Sequence, residues 1–182
     1  MSRKSLSIML VLLLVVSMLA GCGEKAPSTG DTDGKDEFIS IATGGTAGTY
    51  FPLGAAIAKI YNDNIDGVTA NAQSTGASVE NIGLVSKGET EVAFIQSDIT
   101  FYAYTGTESF ADTGKVENIR GMAMLYPEVI QIIATKSSGI ASIEDLKGKK
   151  VAIGAPGSGT EANARQILAA HGMTYDDLAK AD

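Results

Sequence analysis

The chain has 182 residues, 45% of them hydrophobic and 6% aromatic, with 14 basic and 21 acidic side chains and a net charge of −7. That length buries a real core and allows one domain, or one domain and part of another. The acidic balance, with no basic stripe to offset it, excludes nucleic acid as a partner.

Taken in chain order, the first signal is one of export. Arg3 and Lys4 precede an apolar run over residues 8–16, and Ser17, Met18, Leu19, Ala20, Gly21 and Cys22 follow. A basic start, a short apolar stretch and small residues form the layout of a secretory signal. The run over residues 6–20 is short for a membrane span, which needs about 20 apolar residues. Leu19-Ala20-Gly21-Cys22 resembles the lipobox of bacterial lipoproteins, which implies that residues 1–21 are a signal peptide and that Cys22 is lipidated and becomes the new N-terminus. Cys22 is the one cysteine of the chain, so it has no internal disulfide partner. Two acyl chains would anchor the protein far better than one. Without Arg3 and Lys4 the 14 basic residues become 12 against 21 acids, a net charge of −9. Residues 22–37 carry no large apolar side chain and read as a flexible tether.

Residues 38–42 alternate like a strand, and the glycine-rich turn 43–50 follows. Leu53, Ile57, Ile60 and Tyr61 recur at helical spacing and predict an amphipathic helix over 51–63. Residues 68–73 predict a second strand, 74–78 a loop of small residues, and Val79, Ile82, Leu84 and Val85 a helix ending near Lys87 and Gly88. The apolar run 92–95 predicts a buried strand with a short helix behind it. Residues 119–125 are again apolar, and residues 129–135 are long, β-branched and strand-like. Residues 143–150 read as a short helix stopped by glycine, 151–153 as a strand, 154–160 as a third loop of tiny residues, and 160–170 as a helix stopped by Gly172. Alternating strands and helices predict an α/β fold of parallel sheets with helices on both faces. A single strand makes no stable second sheet, so the pattern implies a fragment or another element that completes it.

Three units share one grammar: an apolar strand, a loop of Gly, Ser and Thr, then a helix. In open α/β sheets ligands sit beyond the carboxyl ends of the strands. Helix N-termini there offer free N–H groups and a partial positive charge, an anion site that needs no Arg or Lys. A carboxylate is the natural guest and phosphate the rival. The candidate residues are Thr46, Gly48, Thr49 and Tyr50 in the first loop, Ser74, Thr75, Gly76, Ala77 and Ser78 in the second, and Gln96, Ser97 and Asp98 at the third strand end. Gly157, Ser158, Gly159 and Thr160 form the last loop, and Tyr126 offers an aromatic wall. Ser, Thr and Gly also favour turns and caps, so each loop taken singly has a purely structural reading.

Other chemistries lack their residues. Gly154 and Gly159 have P-loop spacing, but Thr160-Glu161 stands where Lys-Ser/Thr is needed, and residues 44–48 do not spell the dinucleotide fingerprint. There is no Gly-x-Ser-x-Gly elbow, no His/Cys cluster for zinc and no Asp/Asn ladder for calcium. The one histidine, His171, sits at a predicted helix end, where it suits the helix dipole. Glu161 and Arg165 have the i,i+4 spacing of a surface pair, although Arg165 could reach a ligand carboxylate. These absences argue against an enzyme and against any cofactor.

Residues 41–54, Ile-Ala-Thr-Gly-Gly-Thr-Ala-Gly-Thr-Tyr-Phe-Pro-Leu-Gly, resemble the opening signature of the TAXI family of TRAP transporter receptors. The resemblance continues through residues 73–81, 92–98 and 145–154, the last motif being shared more widely among type II periplasmic binding proteins. It implies a two-lobe type II periplasmic-binding-protein fold whose cleft closes on a ligand: a first α/β lobe over 38–130, then a hinge strand and the start of a second lobe over 131–182, incomplete in this chain. The hinge would lie near residues 131–137. It also implies a monomeric, membrane-anchored, extracytoplasmic receptor that passes a small organic anion, a glutamate-like amino acid or dicarboxylate, to a TRAP permease. By position, Thr46, Thr49, Tyr50, Ser74, Gly76, Ala77, Gln96, Ser97 and Ser158 match the family's cleft loops. A receptor for an ATP-driven importer and a ligand sensor for a membrane kinase are the rival readings on the same fold.

Overall fold

A computed structural model describes residues 37–182, so the expected signal peptide, Cys22 and the expected tether up to residue 36 lie outside the described residues. Strand β1 (Glu37–Ala42) leads into helix α1 (Tyr50–Asn64), β2 (Val68–Gln73), helix α2 (Ser78–Lys87), β3 (Val92–Ala93) and helix α3 (Ser97–Thr105). These strands form one parallel sheet in the order β2-β1-β3. The register pairs Ile39 with Ala70 and Ile41 with both Ala72 and Val92. Parallel neighbours need crossover connections, and α1 and α2 supply them.

The buried stripe of α1 is not the one its large side chains predict. Leu53 is 36% exposed and Ile60 57%, whereas Gly54 and Ala58 are buried, flanked by Ile57 and Tyr61. The observed face is 54, 57, 58 and 61, still helically spaced but rotated toward small residues. The reason is distance: α1 lies so close to β1 that a Cβ on Gly54 would stand 2.4 Å from the Thr43 methyl. Ile41, Ala58, Ala70 and Phe94 form the core beneath α1.

Helix α2 ends as its sequence predicts. Gly88 takes φ 71° and its N–H donates to the carbonyls of Leu84 and Val85, a conformation that suits glycine. The expected strand 92–95 is shorter than predicted, with only Val92 and Ala93 in the ladder. Phe94 turns inward and packs its ring on Tyr50, centroids 5.3 Å apart.

Residues 119–135 correct the expectation of apolar strands, for they have no regular secondary structure. Met124, Val129 and Ile133 are 88%, 73% and 88% exposed. A strand exists only where a neighbour takes up its backbone groups, and neither sheet among the described residues lies against this segment. β-Branched composition alone does not supply that neighbour.

The second sheet pairs β4 (Lys150–Val151) with β5 (Lys180–Ala181) in parallel, Lys150 opposite Lys180. The strand expected at 151–153 therefore starts one residue earlier and acquires a partner too short to show a pattern. The pairing continues as Ile153 N–H donates to the Asp182 carbonyl and Asp182 N–H to that of Val151. Helix α4 (Gly159–Ala170) crosses between these strands and joins two cores. Its Ala162 packs with Ile82, Ile99, Ala103 and Phe110, and its Leu168 packs with Leu146, Ile153, Met173 and Leu178. Full burial of a leucine such as Leu168 contributes about 1.5–3 kcal/mol. The region expected as a short helix over 143–150 is a single 3-10 turn, Glu144–Leu146.

His171 caps α4 and its Nδ1 lies 2.7 Å from Glu144 Oε1, which with other hydrogen bonds draws the Glu144 carboxyl down to about 2. Arg165 pairs with Glu161 at 2.7 Å, as their spacing predicts. The Tyr175 hydroxyl donates to the same Glu161 carboxylate at 2.7 Å.

Candidate functional site

The strand–loop–helix units open on one side. The loop after β1 enters α1, the loop after β2 enters α2, Gln96 links β3 to α3, and the loop after β4 enters α4. Together with the irregular residues 126–135 they border an open cleft of about 1010 Å³. A volume of that order is typical of small-molecule sites.

Of the residues singled out from the sequence, Gly48, Thr49 and Tyr50, Ala77 and Ser78, Gln96, Tyr126, and Ser158, Gly159 and Thr160 line this cleft. Thr46, Ser74, Thr75, Gly76, Ser97, Asp98 and Gly157 do not. Several of that second group hold the loops in place. Ser74 Oγ donates to the Gly44 carbonyl, and Thr75 Oγ1 donates to Asn81 Oδ1 while accepting from Ala77 N–H. Gly76 N–H donates to Glu80 Oε2 at 2.7 Å. Thr46 and Ser97 are exposed.

Three helix starts differ in what occupies them. On α2, Val79 and Glu80 N–H both donate to the Gly157 carbonyl, at 3.0 and 3.3 Å. On α4, Ser158 Oγ accepts from Glu161 N–H at 3.0 Å, a conventional N-cap. Helix α1 has no side-chain cap, and its first turn, with Gly44, Gly45, Gly48, Thr49 and Tyr50, faces the cleft. Pro52 has no N–H to satisfy, so the unpartnered amides concentrate at the very start of this helix. The partial positive end of α1 therefore opens on the cleft.

The Gly157 carbonyl also belongs to a set of contacts that ties the two sheets together. Gln96 Nε2 donates to Asn163 Oδ1 at 3.2 Å, Asn163 Nδ2 donates to Asp98 Oδ2 at 2.6 Å, and Tyr102 and Gln166 meet at 3.5 Å. Gly159 makes the first contact possible, since a Cβ there would fall 1.2 Å from Gln96 Oε1. Ala77 carries φ 76° and ψ −143°, a region almost reserved for glycine. The strain sits at the cleft edge, where the Thr75 and Asn81 hydrogen bonds hold it.

Sequence reasoning missed Asn81, Asn163 and Glu128. Asn81 is fully buried and its amide donates to the carbonyls of Thr43 and Phe94, at 2.7 and 2.8 Å. A polar residue amid Val79, Ile82 and Val85 on one helix was the available signal. Glu128 belongs to no motif. It accepts from the Tyr126 hydroxyl at 3.2 Å and lines the cleft with Tyr50 and Ser78. Burial, and then the Glu128 charge, push Tyr126 up to about 12; burial, and then hydrogen bonding to Glu128, raises Tyr50. Both phenols remain protonated donors at neutral pH.

Among the described residues no group of His, Cys, Asp and Glu is placed to hold a metal ion. The NMT1-like family model matches residues 41–182, from the last residues of β1 to just past β5. The chain belongs to the NMT1-like family. This is a periplasmic-binding-protein-like family, and the parallel sheets and four helices of the described residues accord with such a domain. Membership supports a solute-binding function.

Proposed function

We propose that this NMT1-like protein is a receptor, not an enzyme, that binds a small organic anion in the cleft and delivers it to a TRAP-type permease. The carrying observation is the start of α1: it has no side-chain cap and lines the cleft. A ligand carboxylate seated there takes up the free amides and meets the favourable end of the dipole. Serine and threonine hydroxyls from the other loops add donors, and residues 129–133 offer an apolar wall. The glutamate-like or dicarboxylate class, the TRAP partner, the TAXI assignment, the single-copy state and a two-lobe closing motion rest on the motifs of residues 41–54 and 73–81. In that motion the Gln96–Asn163–Asp98 contacts would be made on closure and lost on opening.

A thermal-shift panel tests the ligand. A carboxylate at 100 times its dissociation constant should add about 2.7 kcal/mol of stability, while neutral sugars leave the midpoint unchanged. Gly45→Glu tests the place. A Cβ on Gly45 has nothing within 4 Å, so the fold accepts the side chain. Its charge stands at the mouth of α1, and carboxylate affinity should fall about tenfold or more, a loss of ~1.4 kcal/mol, with the unliganded midpoint unchanged. Full affinity in that variant would remove α1 from the site.

The export reading adds an anchor. Cys22 follows a basic and apolar leader and is the one thiol. Cys22→Ala should move the expressed protein from the membrane pellet to the soluble fraction, read by fractionation and blotting, and continued retention would show that something other than lipid on Cys22 holds it.

A further inference from the structure

The elements of the first sheet and those of the second meet along one seam beside the cleft, and side chains and backbone of this chain make it. From the first come α2, α3 and Gln96; from the second come the loop after β4 and α4. Asn163 stands at the centre, 6% exposed, its Oδ1 accepting from Gln96 and its Nδ2 donating to Asp98. Both partners are themselves held. Gln96 N–H donates to Ser78 Oγ at 3.1 Å, and the other Asp98 oxygen accepts from Ile99 N–H at 2.9 Å. On the same seam Ala162 is buried against Ile82 and Ile99, and the Gly157 carbonyl takes the Val79 and Glu80 amides. Glycine sets how near the two sides come. A Cβ on Gly159 would overlap the Gln96 amide, and one on Gly76 would stand 2.9 Å from the Pro156 carbonyl. Gly159 begins α4 outside the left-handed region, where alanine would suit the backbone better, so the approach of Gln96 is what calls for glycine there.

We infer that the Gln96–Asn163–Asp98 bridge, admitted by Gly159, is a latch that holds the two sides of the cleft together and sets ligand affinity through contacts the ligand does not make. The inference rests on the receptor reading and its closing motion, and it assigns the control of that motion to named residues. Gln96 and Asn163 line the cleft, but Asp98 does not, so Asp98 acts as a positioning residue, through Asn163. When only a fraction of a receptor is in its binding-competent form, its apparent affinity is reduced by that fraction. Loss of the latch therefore weakens every ligand of the cleft by one common factor. Simple electrostatics predicts the opposite sign, because removing the Asp98 charge would by itself favour an anion.

The test reads the latch with and without ligand. Spin labels go on Lys87→Cys at the end of α2 and Ala169→Cys near the end of α4, both exposed, in the full chain carrying Cys22→Ala to remove its one thiol. Pulsed electron resonance then measures their separation. The labelled parent should show one short separation. Asp98→Ala and Gly159→Ala should each add a longer one. Adding Gln96→Ala to Gly159→Ala should restore the short one, because the obstructed side chain is gone. In calorimetry with L-glutamate and glutarate, Asp98→Ala should weaken whichever binds about tenfold, and both by the same factor if both bind. Circular dichroism checks that each variant keeps its fold. Unchanged separations in both single variants overturn the latch, whether or not either acid binds. Longer separations with affinity unchanged, or raised as charge alone predicts, overturn its control of affinity. Binding of neither acid, nor of any carboxylate in the thermal panel, removes the receptor reading, while the separations still decide whether the bridge holds the two sides together.

Discussion

Replacing Asn81 by alanine should destabilise the protein by about 3–5 kcal/mol, because two buried hydrogen bonds and a part-buried one end on one side chain. The amide of Asn81 donates to the carbonyls of Thr43, just past β1, and Phe94, just past β3, and its oxygen accepts from Thr75 Oγ1. It therefore closes the ends of two strands and the loop after a third. Alanine leaves two carbonyls and a hydroxyl without their partner at a position with no exposure, and each buried orphan costs about 1–3 kcal/mol. Asn81→Asp keeps the shape and removes the N–H donors, so it should be damaging at pH 7 as well. Urea denaturation followed by circular dichroism reads both variants. A loss under 1 kcal/mol for alanine would mean that water takes over these bonds and that Asn81 is not the tie between the loops.

Gly54→Ala should cost about 1–3 kcal/mol, against the general rule that alanine favours a helix over glycine by about 1 kcal/mol. The new Cβ would stand 2.4 Å from the Thr43 Cγ2 methyl, and Phe94 and Ala72 close the site on its other sides at 3.5 and 3.6 Å. Thr43 is fully buried and has little freedom to turn, since its Oγ1 donates to the Gln73 carbonyl at 2.6 Å. Rotating the methyl away would break that bond. The second change Thr43→Ser removes the offending methyl and keeps the hydroxyl, so the double variant should recover most of the loss. A double-mutant cycle in urea measures the coupling, expected at about 1–2 kcal/mol. Additive effects would place the strain elsewhere, in a displacement of α1 as a whole.

Both predictions concern residues whose importance was hard to read beforehand. The large side chains Leu53 and Ile60 drew the expected core face of α1 toward themselves, and Gly54 was not singled out for it. They are exposed because close helix–sheet packing prefers the smallest residues, and side-chain size says nothing of distance. The glycine-rich loops were legible as a group, since their place at strand ends follows from the alternation of elements. Their division of labour was not. Thr75 and Ser74 support the loops and Ser158 caps a helix, whereas the start of α1 remains open to the cleft. All are small residues in similar turns, and only neighbours distant in sequence separate one use from another. Glu128 lay between the apolar stretches 119–125 and 129–135 and belonged to no motif, so nothing nearby in sequence suggested a role for its charge.

Local patterns alone determined the α/β class, the helix over Ser78–Lys87 with its Gly88 stop, the boundaries of β2 and the Glu161–Arg165 pair, because each depends on interactions within a few residues or on a strict period. Three-dimensional packing decided the rest. It left residues 119–135 unpaired, set Lys180–Ala181 against Lys150–Val151, rotated the buried face of α1 and gave the amides of α2 to the Gly157 carbonyl. Each of those outcomes is a contact between chain segments far apart in sequence, and its energy depends on geometry that no local run of residues contains.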